Sequence, residues 1–135
     1  MPDLPPRIAV TPDDIERVVA RFYARTRVHP VLRPIFSAHV TDWPAHEAKI
    51  VRFWRGAILG EPGYDGSPMA AHRRAGNVLP EHFAVWLGLF DTVLRETLPP
   101  GPAEQWSALA HRLGRGLRLG VEDLGRRAGE VPRLG

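Results

Sequence analysis

The chain has 135 residues, enough for one folded domain but not for two, and its content of 44% hydrophobic and 24% charged residues is that of a globular protein. It contains no cysteine, which excludes disulfides, thiolate metal sites and cysteine nucleophiles. The net charge is only +3, and the basic residues, which are arginine except for Lys49, are dispersed among acidic ones. We therefore interpret them as a solvated surface in preference to a nucleic-acid site.

Neither a basic and apolar leader nor an apolar run of about 20 residues occurs, so the sequence predicts no signal peptide and no membrane span. A cysteine-free chain of this kind fits the cytoplasm. No strand pattern or internal repeat is present, and the expectation is an all-α chain. We assign residues 1–10 to an irregular, proline-rich lead-in, residues 11–127 to a single domain, and residues 128–135 to a flexible tail.

The first predicted helix begins at Thr11, a good N-cap followed by proline at the first helical position. It ends near Arg27, because His29 precedes a proline and is disfavoured in helical geometry. A short helical segment is predicted over residues 31–36. The inward stripe of the first helix consists of Ile15, Val18, Val19, Phe22 and Tyr23.

The next helix is predicted to begin at Asp42-Trp43-Pro44 and to end at about Leu59, before Gly60. Its inward stripe contains one histidine among apolar residues. Burying the polar imidazole of such a histidine costs free energy unless it has a hydrogen-bond partner. That partner is either a backbone carbonyl of the core or a ligand. The stripe consists of His46, Ile50, Phe53 and Trp54.

After a turn-rich loop, a segment over residues 69–74 carries His72 and is too short to be a stable helix by itself. Two long helices follow. The first begins at Pro80 and is broken by the prolines of residues 99–102, and the second runs from about Pro102 to Arg126.

The six histidines include no pair with the spacing of a helical zinc site, and the chain has no phosphate loop and no nucleophile elbow. What stands out is the number of aromatic residues: four tryptophans, five phenylalanines and two tyrosines. Most lie on inward stripes, where aromatic side chains usually form the core. By itself this pattern predicts a helical bundle without a cofactor.

The order and spacing of several segments resemble the truncated haemoglobins of group III. The similarity covers about residues 12–125, and the chain lacks the Gly-Gly pairs typical of the other two groups. The segments that carry the resemblance are Phe22-Tyr23, residues 29–36 (HPVLRPIF), residues 43–46 (WPAH), Lys49-Ile50 with Phe53-Trp54, residues 64–68 (YDGSP), His72 and residues 81–87 (EHFAVWL).

The resemblance implies a two-over-two α-helical sandwich around haem b, iron protoporphyrin IX. His72 matches the proximal histidine, which is the only protein ligand of the iron. Tyr23, His46 and Trp86 match the distal side, where the ligand binds. Lys49 and Arg73 are candidate partners of the haem propionates. The other residues expected to contact the porphyrin are Phe36, Ile50, Phe53, Trp54, Met69 and Phe83.

We therefore expect a pentacoordinate ferrous haem that binds dioxygen reversibly and with high affinity. Tyr23 O–H and Trp86 N–H are donors suited to a ligand that accepts negative charge, and His46 either donates a further hydrogen bond or gates entry. The same donors suit an enzyme that dioxygenates nitric oxide or turns over peroxide, which would need a reductase partner. A sensor is disfavoured because this chain has no room for an output domain.

Overall fold

The computed structural model describes residues 8–63 and 80–130, with side chains to residue 120. The described residues are helical and contain no strand, which confirms the predicted all-α class. None of their helices is both long enough and apolar enough to cross a membrane. Met69, His72 and Arg73 lie outside the described residues. The helices are α1 (Pro12–Thr26), α2 (Leu32–Ser37), α3 (Trp43–Leu59), α4 (Pro80–Thr97) and α5 (Pro100–Glu130).

Helices α1 and α3 begin where the sequence predicts, because a side chain caps each of them. The Thr11 hydroxyl accepts a hydrogen bond from the Asp14 amide at 3.1 Å, and the Asp14 carboxylate accepts one from the Thr11 amide at 2.9 Å. The Asp42 carboxylate accepts a hydrogen bond from the Ala45 amide at 3.1 Å. Helix α3 ends at Leu59 and is capped by Gly60, whose φ of 73° lies in the left-handed region that favours glycine.

Helix α5 is longer than predicted at both ends. It begins at Pro100, two residues before the predicted start, and it continues to Glu130, which lies within the predicted tail. The proline-rich stretch separates α4 from α5, as predicted, but Pro100 and Pro102 also occupy the first turn of α5, where an amide hydrogen has no partner within the helix. The Ala103 amide, which follows them, donates to the Pro99 carbonyl at 3.0 Å.

The helices form two layers, with α1 packed on α3 in one and α4 packed on α5 in the other. Contacts between α1 and α4 join the layers, and this is the two-over-two arrangement expected of the fold. The core between them also takes in Ile8 and Val10, which are 3% and 6% exposed, so part of the irregular lead-in is buried. The fully buried side chains of the core include Ile15, Val18, Val93, Leu94 and Trp106.

A polar cluster ties α4 to α5 away from this core. Asp91 of α4 accepts a hydrogen bond from the Ser107 hydroxyl at 2.6 Å, and its other carboxylate oxygen lies 2.8 Å from His111 Nε2. Ser107 and His111 are one turn apart on α5, so a single carboxylate contacts both of them. Nearby on the same helix, the buried indole N–H of Trp106 has no acceptor among the residues that the structure describes.

Candidate functional site

Tyr23 lies near the end of α1 with its ring in the core, only 4% exposed. The apolar stripe of α1 places it there, and its ring packs edge to face on Phe22, Phe36 and His46 with centroids 5.1, 5.7 and 5.2 Å away. Its hydroxyl oxygen is 3.1 Å from His46 Nε2. The hydroxyl, the polar part of an otherwise apolar position, is therefore satisfied by a side chain of α3 and not by a backbone carbonyl.

Both members of this pair are neutral at pH 7. Burial raises the pKa of the Tyr23 hydroxyl far above its usual range, and the nearby Glu47 carboxylate raises it further. Burial lowers the pKa of His46 from 6.5, and the Lys49 ammonium adds to this effect. A neutral phenol is a stronger acid than a neutral imidazole, and the bare imidazole nitrogen is the stronger base. We therefore assign Tyr23 O–H as the donor to His46 Nε2, which puts the histidine proton on Nδ1.

Partly buried apolar side chains surround the Tyr23–His46 hydrogen bond. The rings of Phe36 and Trp43 lie 6.1 and 6.4 Å from that of His46, and Ile50 and Phe53 continue along the same face of α3. These residues pack on the core but remain only half-buried. A series of large apolar groups left partly uncovered around one buried polar pair is typical of a binding site.

Trp86 is half-buried on α4 and lies across Phe22 from Tyr23. Its ring stacks on Phe90 at 5.6 Å with an interplanar angle of 9°, and it contacts the edge of Phe22 at 6.2 Å. Tyr23 contacts the same Phe22 ring, so the two predicted donors flank one phenylalanine. The indole of Trp54 continues the stack on Phe90 at 5.6 Å and 14°.

The residues expected to contact the porphyrin divide into two groups by exposure. Phe36, Ile50 and Phe53 are half-buried and could be covered by a ligand. Trp54 and Phe83 are only 3% and 5% exposed, and Trp54 already packs within the protein core. Burial of Trp54 is thus explained without a ligand, and its contact with haem stays a prediction.

Two residues that contribute to this region were not singled out in the sequence. Trp43 was considered only at the helix start and within the segment that carries the resemblance, and Arg27 only at the helix end, but Arg27 donates a hydrogen bond to the Glu47 carboxylate and covers the Trp43 ring. The position of Trp43 could have been predicted from the sequence, because it lies three residues before His46 and therefore on the same helical face. Nothing in the sequence pairs Arg27 with α3.

A second depression, with a volume of about 570 Å³, lies on the opposite face of α3. It is lined in part by Arg52, Arg55 and Glu61, and the last two bind each other through two hydrogen bonds of 2.6 and 2.9 Å. Its lining is charged and open to solvent, and it includes none of the predicted site residues. We therefore place the candidate site at Tyr23 and His46 and not in this charged depression.

The site has no ready means to hold a bare metal ion. The described residues contain no group of three or more histidines, cysteines or carboxylates that could coordinate one. Its chemistry is instead that of an apolar wall with a few hydrogen-bond donors, which suits a flat, apolar prosthetic group and a small polar ligand. The donor set and the uncovered apolar face therefore fit a haem.

Comparison with known proteins gives concordant matches. The sequence profile of the bacterial-like globin family matches residues 8–113. A group 3 truncated haemoglobin of Campylobacter jejuni is 34% identical over 89 residues, which cover 63% of this chain and 70% of that protein. The crystal structure of the group III truncated haemoglobin from Campylobacter jejuni is similar with a TM-score of 0.80 and 27% identity, over 84% of this chain and 92% of the other.

Proposed function

Because the chain belongs to the bacterial-like globin family, among the group III truncated haemoglobins, we propose that it binds dioxygen reversibly and with high affinity at a haem. Membership of the family implies a haem-binding globin. We propose haem b in particular, because this chain has no cysteine to form the thioether bonds of an attached haem. His72, which the resemblance aligns with the proximal histidine, is the proposed iron ligand.

The observation that carries the proposal is the hydrogen bond between Tyr23 and His46 within a half-covered aromatic wall. When bound, haem supplies a ferrous iron with an open position for a diatomic ligand. The wall formed by Phe36, Ile50 and Phe53 would exclude water from that position. In such a dry site each donor acts on the ligand more strongly than it would in water.

The geometry supports a specific role for Tyr23 in this proposal. Its single proton is assigned to the hydrogen bond with His46, so it can be donated to a ligand only when that bond opens. Trp86 needs no such release, because its indole N–H does not share a proton with His46. Trp86 therefore acts as the fixed donor and Tyr23 as the conditional one, and together they account for the proposed high affinity.

The experiment that tests this function is haem capture by the purified full chain. Wild-type protein should show a Soret band, and ferrous protein should convert to a stable dioxygen form with a shifted spectrum. His72→Ala should lose stable haem, whereas His39→Ala, which changes an exposed histidine, should keep it. Full haem retention by His72→Ala would refute the proximal assignment, and a colourless, folded wild-type protein would refute the function as a whole.

A second candidate is a haem enzyme that dioxygenates nitric oxide or turns over peroxide. The observation in its favour is that His46 is a neutral base, half-buried between Tyr23 and the surface, and so able to relay protons. Repeated turnover with a supplied reductase would support it, and loss of this turnover in His46→Leu would implicate the relay. Consumption of one equivalent of nitric oxide per haem without re-reduction would argue for simple binding.

A further inference from the structure

We propose that Arg27, with Trp43 and Glu47, forms a latch that holds His46 against Tyr23 and thereby controls how readily the Tyr23 proton is released to a ligand. These three side chains form the Arg27 latch. The inference rests on the proposed function, since the ligand in question is the diatomic molecule bound at the haem. It assigns Arg27 and Glu47 as positioning residues, which act through His46.

The latch joins the end of α1 to the first turn of α3. Arg27 is the C-cap residue of α1, one turn after Tyr23. Its guanidinium donates a hydrogen bond to the Glu47 carboxylate and lies 5.1 Å from the centroid of the Trp43 ring. Trp43 and Glu47 are four residues apart and share a face of α3, so one guanidinium spans the turn that carries His46.

The first half of α3 is less deeply buried than its second half. The fully buried residues of the helix are Trp54 and Ile58, both in its second half. In the first half Pro44 and Ala45 are exposed and His46 is half-buried. Segments with few buried contacts open at lower free energy than the core does. The latch therefore holds the N-terminal end of α3, and the position of this end determines whether His46 reaches Tyr23.

The charges around His46 are consistent with this arrangement. Glu47 and Lys49 lie close to it on α3, and Arg27 of α1 forms an ion pair with Glu47. Arg27 compensates the charge of Glu47, the carboxylate that acts on the Tyr23 hydroxyl. Breaking the latch would thus loosen the helix end and leave Glu47 unpaired next to the Tyr23–His46 bond.

The first test measures ligand kinetics in haem-loaded protein. In Arg27→Gln the loosened His46 should give up the Tyr23 proton more readily, so the variant should bind carbon monoxide faster and release dioxygen more slowly. Each change should be no more than about fivefold, because an exposed ion pair of this kind contributes only a modest free energy. The Arg27 and Glu47 side chains are 41% and 20% exposed, so salt should screen their attraction. Added salt should therefore speed association in the wild type and have little effect in Arg27→Gln.

The second test needs no ligand chemistry. Nitrogen-15 NMR of the full chain reports the titration of His46, whose pKa is lowered in the closed site by burial and by Lys49. In Arg27→Gln and in Glu47→Gln the loosened histidine gains contact with water, and its pKa should rise towards 6.5. The double variant should show no more than either single change, since both remove one interaction.

The matched control is Arg25→Gln. Arg25 also lies at the end of α1 and also forms an ion pair with another helix, through Glu96 of α4, and its exposure of 39% is close to that of Arg27. Because this pair does not touch α3, the control should keep wild-type kinetics and the wild-type titration of His46. Equal changes in Arg25→Gln and Arg27→Gln would overturn the latch, as would unchanged kinetics and titration in both latch variants.

Failure of the latch and failure of the proposed function give different results. A wild-type chain that takes up no haem refutes the function, and the NMR comparison in that chain still decides whether Arg27 positions His46. Haem uptake with no effect of Arg27→Gln or Glu47→Gln refutes the latch and leaves the function in place.

Discussion

Replacing His46 by leucine should slow the release of dioxygen, although His46 lies on the ligand side of the proposed site. The reason is competition for one proton. The Tyr23 hydroxyl lies 3.1 Å from His46 Nε2 and is assigned as the donor, and donation to a ligand requires that this bond be given up. In His46→Leu the competitor is absent, so the Tyr23 proton is available to the ligand at all times.

The size of the effect follows from one neutral hydrogen bond. Such a bond is worth about 1 kcal/mol net, which corresponds to a factor of about five in rate. His46→Leu should therefore slow dioxygen dissociation by up to about fivefold, and Tyr23→Phe should accelerate it by about fivefold. The double variant should behave like Tyr23→Phe, because without the hydroxyl there is no proton to compete for.

Stopped-flow displacement of dioxygen by excess carbon monoxide measures these rates directly. Trp86→Phe is the control, since its indole does not share a proton with His46. It should accelerate dissociation by a similar factor, and its effect should add to that of His46→Leu. If His46→Leu accelerated dissociation as much as Tyr23→Phe does, His46 itself would be the donor and the assigned direction of the hydrogen bond would be wrong.

Three further predictions concern stability of the full chain, measured by chemical denaturation. The lowered pKa of His46 means that the unfolded chain binds more protons, so the free energy of unfolding should fall as the pH is lowered from about 7 to about 5, and less steeply in His46→Leu. Asp91→Ala removes the partner of both Ser107 and His111 and should cost about 1 to 2 kcal/mol; an unchanged midpoint would show that the cluster contributes nothing. Trp106→Phe removes apolar area from the core, which destabilises the protein, but it also removes a buried N–H that lacks an acceptor among the described residues, which stabilises it. We therefore expect the free energy of unfolding to change by no more than about 1 kcal/mol. A loss of several kcal/mol would instead indicate that the indole N–H is satisfied.

Sequence rules for helix capping were sufficient to predict a helix end where that end is determined by residues adjacent to it in the chain. Thr11 and Asp42 cap α1 and α3 as predicted, because a capping side chain needs only the next three residues. The same rules were incomplete for Pro100, since a proline-rich stretch is compatible both with a break and with the first turn of a helix. In the structure both occur, since α4 ends at Thr97 and α5 begins at Pro100.

The inward positions of Tyr23 and His46 were predictable from the sequence, but the contact between them was not. The apolar stripes placed Tyr23 and His46 on inward faces, but these residues are 23 positions apart, and only the packing of α1 on α3 brings them together. Phe53 and Trp54 illustrate a further limit. They were assigned to one stripe, but consecutive residues of a helix are rotated by about 100°, which leaves Phe53 half-buried and puts Trp54 in the core. His72 depends on the resemblance and lies outside the described residues.

The position of Tyr23 restricts how such a protein can be varied. Its ring packs on four aromatic neighbours, so a substitution other than phenylalanine would empty a core position as well as remove a proton donor. His46, Arg27 and Glu47 are at least partly exposed and can be exchanged with little loss of packing. Ligand affinity can therefore be adjusted gradually through these peripheral residues while the donor itself is held constant, which separates the evolution of affinity from that of stability.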